Sequence, residues 1–225
     1  MRTDNTIICW GYNLGGLSDV PVGPFKAVSA GTGHSCGLRT DNTITCWGNN
    51  DYGQTDVPVG AFKAVSAGQS HSCGLRTDNT IICWGYNSFR QSNAPVGAFK
   101  AVSAGQVHSC GLRTDNTITC WGYNRRSHDH RGGGRADAPV GAFKAVSAGW
   151  HHSCGLRTDN TIICWGDNGE GSDIFEGRAD APVGAFKAVS AGGTHSCGLR
   201  TDNTITCWGG NRYGQSNAPA DEPLT

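Results

Sequence analysis

The sequence predicts an all-β fold: a β-propeller of about five complete blades plus a partial sixth, arranged as an incomplete ring. Three observations carry that expectation. The string Arg-Thr-Asp-Asn-Thr-Ile-(Ile/Thr)-Cys-Trp-Gly recurs six times, with its tryptophan at Trp10, Trp47, Trp84, Trp121, Trp165 and Trp208. A second string, Phe-Lys-Ala-Val-Ser-Ala-Gly-x-x-His-Ser-Cys-Gly-Leu, recurs five times between the copies of the first. Both strings alternate β-branched or aromatic residues with small or polar ones, and Gly-rich turns separate them. A period of 37 residues over the first three intervals, stretching to 44 and 43 in the last two, marks units that stack into one array. The 225 residues therefore form a single domain.

Taken in order, residues 1–16 supply only the last strand of a blade. Complete blades follow at 25–60, 61–97, 98–141, 142–184 and 185–219, and 220–225 form a tail. The tail lacks the Phe-Lys-Ala-Val-Ser-Ala-Gly strand that would complete the first blade, so the ring is expected to stay open. In each unit a Pro-Val-Gly turn, such as Pro58-Val59-Gly60, precedes a first strand anchored by residues like Phe62 and Val65. A hairpin follows: His34 to Arg39, then Thr40-Asp41-Asn42, then Thr43 to Trp47.

Two registers compete for that hairpin. A two-residue loop at Asp41-Asn42 would put Cys36 and Cys46 on opposite faces. A three-residue loop, with Asn42 in the left-handed conformation, sets Cys36 opposite Cys46 and Leu38 opposite Ile44. It places the cysteines at a non-hydrogen-bonded site, where α-carbons lie about 4.5 Å apart, within disulfide reach. The same spacing gives Cys73/Cys83, Cys110/Cys120, Cys154/Cys164 and Cys197/Cys207, with Cys9 left as a free thiol. Zinc-type Cys-x-x-Cys spacing is absent, which favours disulfides and an oxidising compartment; the other reading is small, reduced core cysteines. A β-helix would not need a bulged hairpin in every coil, so the propeller is preferred.

Formal net charge is zero, which argues against nucleic-acid binding. Apolar runs are too short for a membrane span, and no signal peptide is visible. Met1 stands where complete repeats carry leucine. We therefore expect a start inside a longer reading frame, which would also remove the partner of Cys9 and any leader.

The residues Ala-Gly-x-x-His-Ser-x-x-Leu, Asp-Asn-x-Ile and Cys-Trp-Gly-x-Asn-x-x-Gly-Gln, as in His71 to Trp84 and in Asn50-Asp51-Tyr52-Gly53-Gln54, closely resemble the regulator-of-chromosome-condensation repeat. The resemblance covers essentially the whole chain and implies a β-propeller, usually seven-bladed. The cysteine pairs depart from nuclear members and are similar to secreted bacterial members and to the extracellular repeats of crinkly-type plant receptor kinases.

Candidate functional residues divide into fixed and variable ones. His34, His71, His108, His152 and His195 occur once per blade and are expected to make one hydrogen bond each inside their own blade. The six repeat tryptophans are expected to lie across Gly37, Gly74 and their equivalents and seal blade to blade. Asp41, Asp78, Asp115, Asp159 and Asp202 meet a turn requirement, and Arg39, Arg76, Arg113, Arg157 and Arg200 sit at the same hairpin tips. No catalytic constellation, cofactor motif or dedicated metal site is read from these patterns; a His-Asp-His cluster at 128–130 and an acidic stretch at 167–173 are read as loops.

Scaffold letters stay fixed while loop letters vary, as on repeat-built binding surfaces. A protein partner is therefore expected at Tyr52, Phe89, Arg90, Arg125, Arg126, Trp150, His151, Phe175 and Tyr213. The expected function is a non-catalytic, secreted or surface-displayed binding propeller, like the family's β-lactamase-inhibiting bacterial member. Two alternatives are nucleotide exchange and chromatin binding, as in the nuclear founder, and a structural segment of a larger adhesin. Paired cysteines and zero net charge weigh against the first.

Overall fold

The hairpin is the local unit from which the molecule is built. In the computed structural model, which describes residues 4–11, 13–124, 134–169 and 177–218, Cys36 pairs with Cys46 and Leu38 with Ile44. This is the three-residue-loop register. Asn42 takes φ 71°, in the left-handed region, and Arg39 N–H donates to the Thr43 carbonyl at 2.8 Å. Asp41 closes the loop by accepting from the Thr43 N–H at 2.9 Å and from its hydroxyl at 2.7 Å. The hydroxyl and then the backbone donor hold the Asp41 carboxyl below its ordinary range.

Each hairpin gains one further antiparallel strand. The first sheet contains β1 (Phe25–Ala30), β2 (His34–Arg39) and β3 (Ile44–Gly48). The second contains β4 (Phe62–Ala67), β5 (His71–Arg76) and β6 (Ile81–Gly85), and the third β7 (Phe99–Ala104), β8 (His108–Arg113) and β9 (Ile118–Gly122). The fourth contains β10 (Phe143–Ala148), β11 (His152–Arg157) and β12 (Ile162–Gly166), and the fifth β13 (Phe186–Ala191), β14 (His195–Arg200) and β15 (Ile205–Gly209). A bulge between Phe25 and Ala27, repeated in every blade, turns the intervening lysine outward. Lys26 Nζ then donates to the Asn42 side-chain carbonyl at the hairpin tip.

The cysteines form five disulfides, Cys36–Cys46, Cys73–Cys83, Cys110–Cys120, Cys154–Cys164 and Cys197–Cys207, with α-carbons 4.0 Å apart in each. Cys9 is a free thiol.

The core lies between blades. Cys36, Leu38 and Ile44 of the first blade form one cluster with Phe62, Ala67 and Trp84 of the second. The same pattern joins the third blade to the fourth and the fourth to the fifth. Phe62 is fully buried, a residue type whose burial contributes about 1.5–3 kcal/mol. The expected tryptophan-on-glycine packing is corrected here. The phenylalanine, not the tryptophan, lies across the glycine: a Cβ on Gly74 would fall 2.6 Å from the Phe62 ring and 3.3 Å from Ile44 of the preceding blade.

The tryptophans do seal blade to blade, but through their indole N–H groups. Trp84 donates to the Gln54 carbonyl at 2.9 Å and Trp121 to the Gln91 carbonyl at 2.8 Å, each in the connection that enters the blade. Trp10 differs from its repeats. No complete blade surrounds it, and it is 86% exposed.

Around the central axis the blades touch backbone to backbone. Gln69 N–H donates to the Gly105 carbonyl at 3.2 Å and Trp150 N–H to the Gly192 carbonyl at 3.2 Å. These steps bring the Ala-Gly segments of all five blades around a central channel of about 250 Å3, with Thr32, Gln69 and Trp150 on its wall. No hydrogen bond closes the ring from the fifth sheet to the first among the described residues. The outer face of the fifth blade consequently keeps an uncovered recess lined by Val189, Cys197, Leu199 and Ile205. Among the described residues no helix is long and apolar enough to cross a membrane.

Candidate functional site

Strand direction sorts the loops onto two faces. The turns after Gly31 and the connections after Gly48 share one end of each blade, tied by the Asn49 N–H to the Gly33 carbonyl at 2.8 Å. The Thr-Asp-Asn tips and Pro-Val-Gly turns occupy the other end, where Val59, Val96 and Val140 are almost fully exposed. All the described variable residues named above lie on the first end, here termed the loop face.

The long connections are stiffened by side-chain hydrogen bonds. Asn50 Nδ2 donates to Asp56 at 2.8 Å, and the Tyr52 N–H to the Gln54 side-chain carbonyl at 2.9 Å. Gln54 and Gln91 are buried and hold their loops down, which pushes the preceding aromatic outward. Arg90 sits at φ 63°, where the equivalent Gly53 has φ 76°, so a non-glycine residue accepts the left-handed conformation that the loop demands.

The outcome is a ladder of aromatic rings crossing three blades. Tyr52 meets Tyr86 at 4.9 Å between centroids, Tyr86 meets Phe89 at 6.1 Å, and Phe89 meets Tyr123 at 5.0 Å, all edge to face. The Arg135 guanidinium then covers Tyr123 at 4.9 Å. Tyr52 and Phe89 are exposed, and Arg90 lies exposed beside them.

Trp150 is 43% exposed, and with half-buried His151 it lines a cavity of about 300 Å3 completed by Asp167, Arg178 and Thr194. Tyr213 projects from the fifth blade, with Arg212 5.5 Å from its ring centre. Arg125, Arg126 and Phe175 lie outside the described residues, as do the His-Asp-His cluster and most of the acidic stretch.

Electrostatics separate the fixed from the variable groups. Four of the repeated histidines, His34, His71, His108 and His152, do not bond through Nε2 within their own blades, contrary to expectation: each reaches into the next blade. His34 Nε2 lies 2.7 Å from the Ser72 hydroxyl, His108 Nε2 2.8 Å from that of Ser153, and His152 Nε2 2.7 Å from that of Ser196. Burial pushes His34 down to about 4 and His71, His108 and His152 to about 3, so all four are neutral at pH 7. They are structural links.

The groups around the cavity behave differently. Burial first, then Arg135 and Arg178, holds His151 below its ordinary range. Burial acts to raise Asp167, but the Gly169 N–H followed by Arg178, His151 and Arg135 outweighs it, and the carboxyl lies below its usual value. Arg178 Nη2 contacts Asp167 at 3.2 Å.

The sequence does not single out Tyr86, Tyr123 or Arg178 as contact residues, and it places Arg135 and Asp167 only as members of the two inserted loops. A signal for the arginines existed. Counting 30 residues back from each repeat tryptophan gives Gln54 and Gln91 in two blades but Arg135 and Arg178 in two others. The insertions that precede them obscured this alignment.

A ring-like array of three-stranded blades, with a fixed scaffold and variable loops on one face, defines a repeat propeller of the scaffold kind. The family assignment follows from the sequence comparison: the Regulator of chromosome condensation (RCC1) repeat matches residues 25–54, 62–91, 99–127, 143–172 and 186–215, well over half the chain. The chain belongs to that family. No curated protein sequence matches it.

Among solved structures it is similar to the CRINKLY WD40 ectodomain of the Arabidopsis thaliana receptor kinase ACR4, at 28% identity and TM-score 0.71, covering 92% of this chain and 74% of that one. The entire ectodomain of the Physcomitrella patens receptor kinase CR4 is also 28% identical, with TM-score 0.72 over 93% of this chain and 58% of its own. Prp20p from Saccharomyces cerevisiae, whose binding to Gsp1p and histones has been studied, shares the fold at 20% identity and TM-score 0.65, over 83% of this chain and 58% of that one. The chain thus spans about three-fifths of the length of two of these three relatives.

Proposed function

We propose that this chain is a non-catalytic, protein-binding propeller of the cell exterior, and that its partner docks on the loop face. The observation that carries the reading is the ladder Tyr52–Tyr86–Phe89–Tyr123, ending in Arg135, in which Tyr52 and Phe89 are exposed and Tyr86 and Tyr123 half-buried. Exposed, contiguous aromatic rings beside arginines are the composition of interface centres. A scaffold that holds them through buried glutamines presents them already ordered, which lowers the entropic cost of association. Arg90, Trp150, His151 and Tyr213 extend the contact on the described loops, and Arg125, Arg126 and Phe175 join it on sequence grounds. Five disulfides support an oxidising compartment, as does the likeness to plant receptor ectodomains. Nucleotide exchange of the nuclear kind is disfavoured by those same disulfides.

The uncovered recess at Val189, Leu199 and Ile205 favours a second reading, in which the array is a structural segment of a larger surface protein. Affinity capture with the intact chain, repeated with Tyr52→Ala/Phe89→Ala, separates the two. Loss of a captured partner in the double variant supports the binding propeller. Equal capture by both proteins contradicts it.

A further inference from the structure

The end of the array opposite the loop face repeats the same letters in all five blades. Its Thr-Asp-Asn tips and Pro-Val-Gly turns form one continuous surface, here termed the tip face. Phe62 N–H donates to the Asn42 carbonyl of the preceding blade's tip at 2.7 Å, and Phe99 N–H to that of Asn79 at 2.8 Å.

Val22, Val59, Val96, Val140 and Val183 stand at the centre of the turns, each between 96% and 98% exposed. Nothing in the fold requires an apolar side chain there. The backbone demand of the turn falls on the next residue: Gly23 has φ 131°, and a Cβ on it would lie 2.2 Å from Arg39 Nη1. Two residues before the valine a partly buried position varies, with Val20 and Val57 in two blades and Ala94, Ala138 and Ala181 in three. The exposed valine does not vary. Singly scattered apolar residues need no explanation, but these five stand one per blade around a common axis.

The turns are held from within. Arg39 Nη1 donates to the Val22 carbonyl at 3.1 Å while its guanidinium carbon lies 4.7 Å from the Phe25 ring centre. The same stacking recurs at Arg76, Arg113, Arg157 and Arg200. The valines therefore project from a stiff base, which lowers the cost of ordering them on contact.

Positive charge gathers at the same end. All five lysines of the chain, Lys26, Lys63, Lys100, Lys144 and Lys187, reach the hairpin tips and donate to Asn42, Asn79, Asn116, Asn160 and Asn203. With the five stacked arginines they make ten cations. Six carboxylates oppose them among the described residues, Asp4 and the five loop aspartates, leaving a net of +4. The chain as a whole has a formal net charge of zero.

A partner for this face is laterally uniform, anionic and able to take up isolated apolar side chains. A folded protein domain is not uniform across its surface. A nucleic-acid duplex is uniform and anionic but gives the valines nothing to enter. A bilayer with anionic headgroups meets all three conditions.

We propose that the tip face docks on an anionic lipid bilayer, with the valines entering the headgroup boundary and the lysines and arginines meeting lipid phosphates. The loop face then points away from the membrane, towards the protein partner. Neither surface depends on the other.

Flotation of the intact protein with vesicles tests the proposal. Vesicles of equal parts phosphatidylglycerol and phosphatidylcholine are compared with phosphatidylcholine alone. The anionic vesicles are expected to bind about tenfold or more tightly than the neutral ones, and less tightly as salt is raised. Val59→Ser/Val96→Ser/Val140→Ser and, separately, Lys63→Gln/Lys100→Gln/Lys144→Gln are each expected to lower that affinity about tenfold. Both sets change exposed side chains, so melting temperatures are expected to stay close to the parent's. Tyr52→Ala/Phe89→Ala is expected to float like the parent. The proposal is overturned if the protein does not float with anionic vesicles, if neutral vesicles bind it equally, or if either triple variant keeps parent affinity. Tighter binding to a DNA duplex than to the anionic vesicles, or loss of flotation in the loop-face variant, overturns it as well.

Discussion

His71 Nε2 lies 2.8 Å from the hydroxyl of Ser109, 38 residues later and one blade further on. The Ser109 hydroxyl donates onward to the Gln91 carbonyl at 3.1 Å, so the histidine must be the donor and carry its proton on Nε2. The relay links a buried imidazole, a buried hydroxyl and the backbone of the entering loop. Ser109→Ala strands the imidazole N–H in a dry site and is expected to cost about 1–3 kcal/mol. Ser35 occupies the same place in the first blade, but among the described residues no histidine bonds it, so Ser35→Ala is expected to cost clearly less. Chemical denaturation of the two variants checks the difference.

Acid should loosen the whole array. His34, His71, His108 and His152 have folded pKa values of about 3 to 4, below the value of 6.5 they regain on unfolding. A histidine lowered in this way stabilises the fold fully above 6.5, and that contribution is lost as pH falls towards 3–4. Below 6.5 each proton taken up only by the unfolded chain costs about 1.4 kcal/mol per pH unit. The loop aspartates, also held low, act only below the ordinary carboxylate range. The melting temperature is therefore expected to fall steadily from pH 7 to pH 5, with disulfides intact. A flat profile would show the imidazoles to be accessible.

Much of the fold could be read from the sequence because its determinants are local. The Thr-Asp-Asn loop fixes the register, and the register fixes the cysteine pairing, all within eleven residues of chain. The His–Ser relay was not legible, since it depends on the offset at which one blade stacks on the next. Nor was the ladder: Tyr52 and Phe89 could be named as variable, but only stacked blades show that their rings touch Tyr86 and Tyr123. Which aromatic covers Gly37 is not legible either, because phenylalanine and tryptophan both alternate correctly in their strands. The bulge at Lys26, which rotates the start of β1, decides which of them reaches the glycine.

Backbone contact at the axis is position-dependent. A Cβ on Gly68 would collide with the Gly105 carbonyl of the next blade, whereas on Gly192 the nearest atoms belong to the His195 ring of its own blade. Gly68→Ala is expected to cost more than about 3 kcal/mol, and Gly192→Ala substantially less. Thermal unfolding of the two variants measures this.

The disulfides restrain the unfolded chain. Each closes a ring of eleven residues, worth about 2.8 kcal/mol on the chain-entropy estimate. Cys110→Ser/Cys120→Ser is expected to lower stability by roughly that amount while leaving the other four bridges formed. Thiol titration under denaturing conditions should find a single reactive group in the parent protein, at Cys9.

The central claim is that one face of the array does the binding. Hydroxyl-radical footprinting of the captured complex reads it directly. The account predicts protection of Tyr52, Tyr86, Phe89, Tyr123 and Trp150 with unchanged reactivity at Val59, Val96 and Val140. Protection of the valine turns, with the tyrosine ladder left reactive, would place the partner on the opposite face and contradict the account.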